Sequence, residues 1–335
     1  MIKDWRKNLD KAVNALLQSD DRAVVYFTRN DLLAESVGPV SQVWELPEPQ
    51  KILKKQRDDG SWKGPAKKNP VYPENHSDLI ATFKAFRTLV KDYEFTRDHE
   101  GIDLAAEYLF GYQTSEGDIR GFIANQYATY YTGEILSLLI RAGYTDDSRV
   151  ETGMEWLLGM RQDDGGWTIP ILTHAFDRET GYKLTALYME PVEPDRTKPF
   201  SHNWTDMVLR AFAIHPVFRK SPEARKAGEL LKSRFFQPDV YNSYKEARYW
   251  TRFAFWWPNL LTSMESLLLL GFHPDDPDIR KGLDWFLGNQ QEDGLWKCEY
   301  GRKSGAEGKP VDRAWLTLRI CRMLKGFLDT KETSD

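Results

Sequence analysis

Two segments of this chain set a histidine and an aspartate side by side just ahead of an apolar run: His76 and Asp78 in "ENHSDLI", and His202 and Asp206 in "SHNWTDM". An imidazole that titrates near neutrality, next to a carboxylate, is the elementary kit for moving a proton. In that chemistry Asp78 and Asp206 would act as acid or base, and His76 and His202 as polarising groups. Glu134 lies one turn into the apolar run "YYTGEILSLLI". A carboxylate there must be ion-paired, hydrogen-bonded or turned to a wet cavity, so it is either a site group or half of a buried structural pair.

The same regions carry side chains suited to holding a ligand: Tyr130 and Tyr131, Trp204, the run containing Trp250, Arg252, Trp256 and Trp257, and Asp312 with Arg313. Aromatic faces can stabilise a cation or stack on a sugar ring, and they also pack cores. Asp78, Ser201 and Asp312 occupy places where helix N-caps belong. His99, His215 and His273 fall at the other ends of the helices and read as turn residues. Asp146-Asp147 and Asp275-Asp276 read there as caps.

The elements that must position these groups announce themselves by repetition. "KQRDDGSW" (residues 55–62), "MRQDDGGW" (160–167) and "NQQEDGLW" (289–296) are one turn written three times. Amphipathic helices precede them: Val150, Met154, Leu157 and Leu158 share one face, as do Ile279, Leu283, Phe286 and Leu287; a further copy sets Ile102, Ala106, Leu109 and Phe110 on one face ahead of "YQTSEGD", with Ile119 near the tryptophan place. Each precedes a helix apolar nearly all round, which must be buried on all sides. A threonine recurs near the start of each such helix, at Thr82, Thr132, Thr205, Thr262 and Thr317. Together with a weaker N-terminal pair this makes about six helical hairpins at a repeat-like period. The expected class is all-α, an (α/α)6 toroid of inner and outer helices forming one domain over residues 1–335. Residues 183–190 carry the sole hint of strand alternation. Connections from outer to inner helices are long, so the site is expected at that end. The longest, residues 168–200, reads as an insertion over the pore mouth.

Composition narrows the class of function. The chain has 335 residues and a net charge of −4, with both signs mixed along it, so nothing resembles the basic stripe of a nucleic-acid binder. The opening "MIKDWRKNLDKAV" lacks the apolar core of a secretory signal, and no apolar run is long enough to cross a bilayer. Two cysteines, Cys298 and Cys321, suit a reducing compartment. A cytoplasmic protein without metal or other cofactor, acting on a small molecule, is the expectation.

The turn and the helix before it resemble the repeat that marks the terpenoid cyclase and protein prenyltransferase superfamily, [KR]-[GA]-x-x-[FYW]-[LIV]-x-x-x-Q-x-x-x-G-x-W. Lys281, Gly282, Trp285, Phe286, Gln290, Gly294 and Trp296 follow it place for place, with Phe286 in the aliphatic slot. Thr152, Gly153, Trp156, Leu157, Gly165 and Trp167 match less fully, with Thr152 in the basic slot and Arg161 in the glutamine slot, and Gln56, Gly60 and Trp62 match the second half. The likeness runs from about residue 45 to 327 and implies the α/α toroid fold. The Asp-x-Asp-Asp motif with which triterpene cyclases protonate a polyene is absent, since Asp275-Asp276-Pro277-Asp278 has another order. Where protein prenyltransferases carry a zinc-binding Asp-x-Cys, this chain has Asp312 and Ala314. The resemblance therefore implies a prenyltransferase- or cyclase-like protein that holds an isoprenoid or similar apolar ligand in an aromatic lumen. A polysaccharide lyase or glycoside hydrolase working in the same cavity, and a binding or scaffold toroid without turnover, are the other readings.

Overall fold

In chain order the helices are α1 (Ile2–Leu16), α2 (Arg22–Phe27), α3 (Ser41–Trp44), α4 (Pro47–Leu53), α5 (His76–Asp92), α6 (Glu100–Phe110), α7 (Thr129–Arg141), α8 (Ser148–Gly159), α9 (Arg178–Ala186), α10 (His202–Ile214), α11 (Pro222–Ser233), α12 (Leu260–Leu269), α13 (Pro277–Gly288) and α14 (Pro310–Glu332). They come from a computed structural model that describes residues 2–65, 76–187, 189–241, 246–253, 257–298 and 310–332. The class is all-α, and among the described residues only isolated bridges, no strands, are found. No helix among them is long and apolar enough to cross a membrane. The chain divides into two compact units: Met1–Leu46 with Leu231–Asp335, and Pro47–Leu230.

Within the second unit, half-exposed and buried helices alternate as α/α-toroid folds require. Helix α10 buries every residue from His202 to Ala213, and α7 buries ten of its thirteen. Between them in sequence, α8 buries only Val150, Gly153, Met154 and Leu157, a single face. The split unit repeats the contrast. Helix α13 buries Ile279, Gly282, Leu283 and Phe286, while α12 buries seven of ten. Local chemistry sets the helix starts. Asp147 and Asp276 cap α8 and α13 through side-chain acceptance of backbone N–H groups, as the Asp-Asp pairs imply. His99 caps α6, and His215 and His273 accept N–H bonds just beyond the ends of α10 and α12.

One expectation changes. Residues 183–190 contain no described strand; their first half belongs to α9. Asp177 caps that helix on Thr180, and the Glu179–Lys183 pair at 2.7 Å braces one turn of it. Local capping and i,i+4 pairing outweigh three weakly alternating apolar residues.

The repeated turn is one hydrogen-bonded device. The indole N–H of Trp62, Trp167 and Trp296 donates to the carbonyl ten residues earlier, at Ile52, Leu157 and Phe286, tying off the end of the preceding helix. The backbone N–H of the same tryptophan donates to the recurrent threonine of the next buried helix: Trp62 to Thr82, Trp167 to Thr205, Trp296 to Thr317. In the copy of the turn that follows α6, Ile119 fills the tryptophan place and its N–H donates to Thr132. Where the turn has lost its tryptophan, Thr262 instead completes a capping box with Asn259 on its own helix.

The glutamine supplies the third link. Gln56, Gln113 and Gln290 each donate to the turn glycine's carbonyl and to a second carbonyl on another helix: Gly101 and Arg149 in the first turns of α6 and α8, and Asn8 midway along α1. The glycines at 60, 117, 165 and 294 all have φ between +82° and +113°, which L side chains avoid. They also touch the neighbour: a Cβ at Gly60 would lie 2.2 Å from the carbonyl oxygen of Leu104, and one at Gly294 2.7 Å from that of Lys11. Arg161 keeps only the first glutamine contact, to Gly165. Next to it, Gln162 bonds the carbonyls of Asp195 and Lys198, so this copy of the turn fastens the insertion instead.

Candidate functional site

In the Pro47–Leu230 unit the first turns of α7 and α10 bring the aromatic groups together. Tyr130 packs on Tyr131 with ring centroids 4.5 Å apart and on Trp204 at 4.6 Å. Tyr131 stacks on Phe122 at 3.9 Å and meets Phe83 of α5 edge-on at 5.3 Å. Trp204, Phe122 and Phe83 are buried, while Tyr130 and Tyr131 remain partly exposed. Burial pushes the Tyr131 phenol up to about 12. Helical spacing explains the arrangement. Tyr130 and Tyr131 stand at the head of α7, and α10, its closest partner in the unit, presents Trp204 from the corresponding turn.

One turn further along the two helices lies a buried charge cluster. Glu134 and Asp206 are bridged by Arg210: Nη1 lies 2.8 Å from a Glu134 oxygen, and Nη2 2.5 Å from Asp206 Oδ2. The three side chains are 1%, 0% and 7% exposed in the order Glu134, Asp206, Arg210. Burial pushes the Glu134 carboxyl up, but Arg210, helped by Lys91 and Arg87, outweighs it and holds the group below its ordinary value. For Arg210, burial pulls the guanidinium down, and Asp206 and Glu134 more than restore it, above its ordinary value. The second Glu134 oxygen is buried without a hydrogen-bond partner among the described residues. The requirement that Glu134 be paired is thus met by a residue that sequence reasoning passed over. Its signal was present: Arg210 sits four residues after Asp206 in a helix otherwise apolar, the spacing of an i,i+4 ion pair. Phe83 and Phe122 were also missed, since nothing but burial marks them.

The remaining expected residues take other places. Nδ1 of His76 lies 2.7 Å from the Gly121 carbonyl oxygen, holding the loop ahead of α7. His202 is buried in the first turn of α10, which Ser201 caps as expected. Asp78 is not a cap, because α5 begins at His76. Its carboxylate accepts from the Gly64 N–H at 2.7 Å and pairs with Arg57 at 2.6 Å. Burial raises it, but the amide and the guanidinium win and hold it below the ordinary carboxylate range. Asp312 likewise lies inside the first turn of α14, after its start at Pro310.

In the split unit, Trp250 is 3% exposed, packs on Phe235 at 5.2 Å and donates its indole N–H to the Gln237 carbonyl. That is core packing. Arg252 lies over the Tyr249 ring at 5.8 Å, Trp257 is half-buried, and Arg313 pairs with Asp293 at 2.8 Å. Trp256 lies outside the described residues. Cys298 is buried and its thiol faces the Phe253 carbonyl at 3.6 Å. Among the described residues no group of three or more His, Cys, Asp or Glu side chains is disposed to hold a metal ion.

The insertion is fastened to the head of α7 from two directions. Thr129, the first residue of that helix, donates to the Thr168 carbonyl at the insertion's root. Gln126, 1% exposed, donates to the carbonyls of Met189 and Glu190 and accepts from the Val192 N–H. Asn125 also donates to Met189, and the Tyr127 hydroxyl lies 2.8 Å from Glu116 and 3.1 Å from Glu193.

No protein-family model matches the chain. A squalene–hopene cyclase from Bradyrhizobium diazoefficiens is 25% identical over 206 residues, covering 55% of this chain. The chain's match spans 27% of that relative's length. Solved structures that align with nearly the whole chain include a protein from Actinoplanes, at 13% identity and a TM-score of 0.49, covering 96% of this chain and 99% of that one. Another is a type II terpene cyclase from Scytonema in complex with geranylgeranyl dihydroxybenzoate, at 13% identity and a TM-score of 0.35, covering 98% of this chain and all of that one. The sequence likeness points the same way as the repeated turn: the chain is all-helical and resembles the terpenoid cyclase-like superfamily.

Proposed function

We propose that this chain binds an isoprenoid or similarly apolar, unsaturated small molecule against the rings at the head of α7 and α10. The observation that carries the reading is the contiguous set Phe83, Phe122, Tyr130, Tyr131 and Trp204, in which Tyr130 and Tyr131 remain partly exposed. Such a wall takes up a flexible apolar chain by area burial, and its faces attract positive charge. Sequence likeness to an enzyme named for squalene supports an isoprenoid over other apolar ligands.

A second reading, binding without turnover, is favoured by one specific observation. A group that starts a cyclisation by protonating a double bond must carry a proton. The carboxylates nearest the wall in sequence, Glu134 and Asp206, are both engaged by Arg210, and Glu134 is held ionised. An aromatic wall whose nearest carboxylates are already ion-paired suits holding a ligand better than acidifying it.

The test is direct binding of geranylgeraniol and of squalene, with maltohexaose as the carbohydrate comparison, read by calorimetry on the wild type and on Tyr130→Ala and Trp204→Ala. The expectation is binding of an isoprenoid that weakens about tenfold in each variant, as loss of one aromatic contact implies. Binding of maltohexaose alone would transfer the site to carbohydrate. No binding of any of the three would leave only the scaffold reading. Incubation with squalene followed by product analysis then separates turnover from storage.

A further inference from the structure

We propose that residues 189–195 form a detachable strap over the entrance to α7, with Gln126 as its clip, so that ligand passage requires this segment to lift. The inference rests on the reading of the aromatic wall as a ligand site, but the mobility of the strap can be tested without any ligand.

Four observations carry it. First, no described side chain from residue 189 to 200 is buried, so little apolar area holds the segment down. Second, among the described residues, 189–194 make no backbone–backbone hydrogen bond. Their backbone is fastened by side chains: Gln126 with Met189, Glu190 and Val192, Asn125 with Met189, and the exposed His174 ring with the Glu193 carbonyl at 2.8 Å.

Third, the two ends of the segment are held differently. The Asp195 N–H donates to Thr173, its carbonyl accepts from Gln162, and the next stretch is anchored by the Lys198 carbonyl on Gln162 and the Phe200 N–H on Asp164. Asp163 donates its N–H to the Arg196 carbonyl. The C-terminal root is therefore a multi-point hinge, while the tip has one buried clip, Gln126, and otherwise only partly or fully exposed contacts from Asn125, His174 and Tyr127. Fourth, the clip sits in the loop that joins two of the wall's rings. Gln126 lies four residues after Phe122 and four before Tyr130, the two rings that flank Tyr131. Lifting the strap exposes Gln126 to water, which replaces the three lost bonds, so opening costs little and reverses readily.

Tyr127 adds a brake at the outer edge. Its hydroxyl has one proton to donate and two carboxylates within reach, Glu116 and Glu193, while Arg120 pairs with Glu116 at 3.2 Å and with Asp118 at 2.9 Å. Donation to one carboxylate leaves the other repelled, so this contact holds the strap weakly. Leu187 and Met189, beside the clip, are 51% and 44% exposed and give an apolar molecule something to touch on the way in.

The experiment is amide hydrogen exchange on the free full chain, followed by stopped-flow binding of geranylgeraniol. In the wild type the Val192 amide is expected to exchange at least about 100-fold faster than the amides of α10, through local opening rather than global unfolding. In Gln126→Ala it is expected to gain about a further tenfold, and the ligand's association and dissociation rates to rise together by a similar factor while Kd moves less. Val192 protection equal to that of α10 overturns the strap. So does a Gln126→Ala variant that speeds exchange but leaves both ligand rates unchanged, because the strap would then lie off the path. Should Gln126→Ala fail to fold, the wild-type comparison of Val192 with α10 still decides mobility, and Asn125→Ala serves for the rates. Failure of geranylgeraniol to bind either protein sinks the ligand reading and the gating role with it, while the exchange result separately settles whether the segment opens.

Discussion

Arg210 is the residue on which the interior of the second unit turns. It bridges two carboxylates that are each under 2% exposed, with Lys91 and Arg87 adding to the positive field at Glu134. Replacing it with methionine should cost about 3–5 kcal/mol, measured by urea unfolding, because two buried anions lose their counterion. Combining Arg210→Met with Glu134→Gln and Asp206→Asn should recover most of that loss, since the expense lies in the unpaired charge rather than in the missing bridge. The same cluster sets an acid limit. A carboxyl depressed in the folded state contributes stability that is complete above its unfolded value and disappears as pH falls through the folded one. For Glu134 that window lies below the ordinary value of 4.5. Urea midpoints followed from pH 7 to pH 2 should therefore fall less steeply at the acid end for Glu134→Gln than for the wild type. Equal slopes would show that the ion pair does not govern acid stability.

At the scale of elements, the repeated turn explains why helices of such different character stay in register. One tryptophan ends the exposed helix with its indole and orders the buried helix with its amide. Thr205→Val keeps the shape but removes the acceptor for the buried Trp167 N–H. It should cost about 1–3 kcal/mol by thermal or chemical unfolding. Gly294→Ala should cost more than about 1 kcal/mol, since it meets both a φ of +86° and a carbonyl oxygen 2.7 Å away. Arg161→Gln makes an opposite forecast. It restores the glutamine of the other copies, beside the start of α11 where Glu223 is the corresponding second residue, and stability should change by less than about 1 kcal/mol. A large loss would mean that Arg161 contributes more than its one bond to Gly165, for instance through its position 5.8 Å from the Trp167 ring.

Over the whole molecule, much of the helical plan was legible because period, turn glycines and caps are local signals. The threonine at the start of each buried helix was visible as a recurrence, although its role as acceptor for the turn needed coordinates. The site was less legible for a physical reason. Whether Glu134 finds a partner depends on a residue 76 positions away, and no local pattern encodes that distance. Trp250 and Tyr130 look alike in sequence, yet one is buried on Phe235 and the other half-open on Trp204. Asp78 and Asp312 fall in the first turn rather than at the cap, because the helices as described begin at His76 and Pro310, three residues ahead of where a cap at either aspartate would start them.

The pairing of α1 with α14 has a consequence for how the chain comes to be folded at all. Arg6 meets Glu332 at 2.5 Å across 326 positions, Asn8 receives Gln290, and Asp21 accepts the indole of Trp315. During synthesis the contiguous stretch from Pro47 to Leu230 can complete itself while the opening helices still wait for partners not yet made. Trp5, 1% exposed in the finished protein, spends that interval in water. Its fluorescence should therefore be among the last signals to recover on refolding, and nascent chains stalled before α14 should be the ones that chaperones hold.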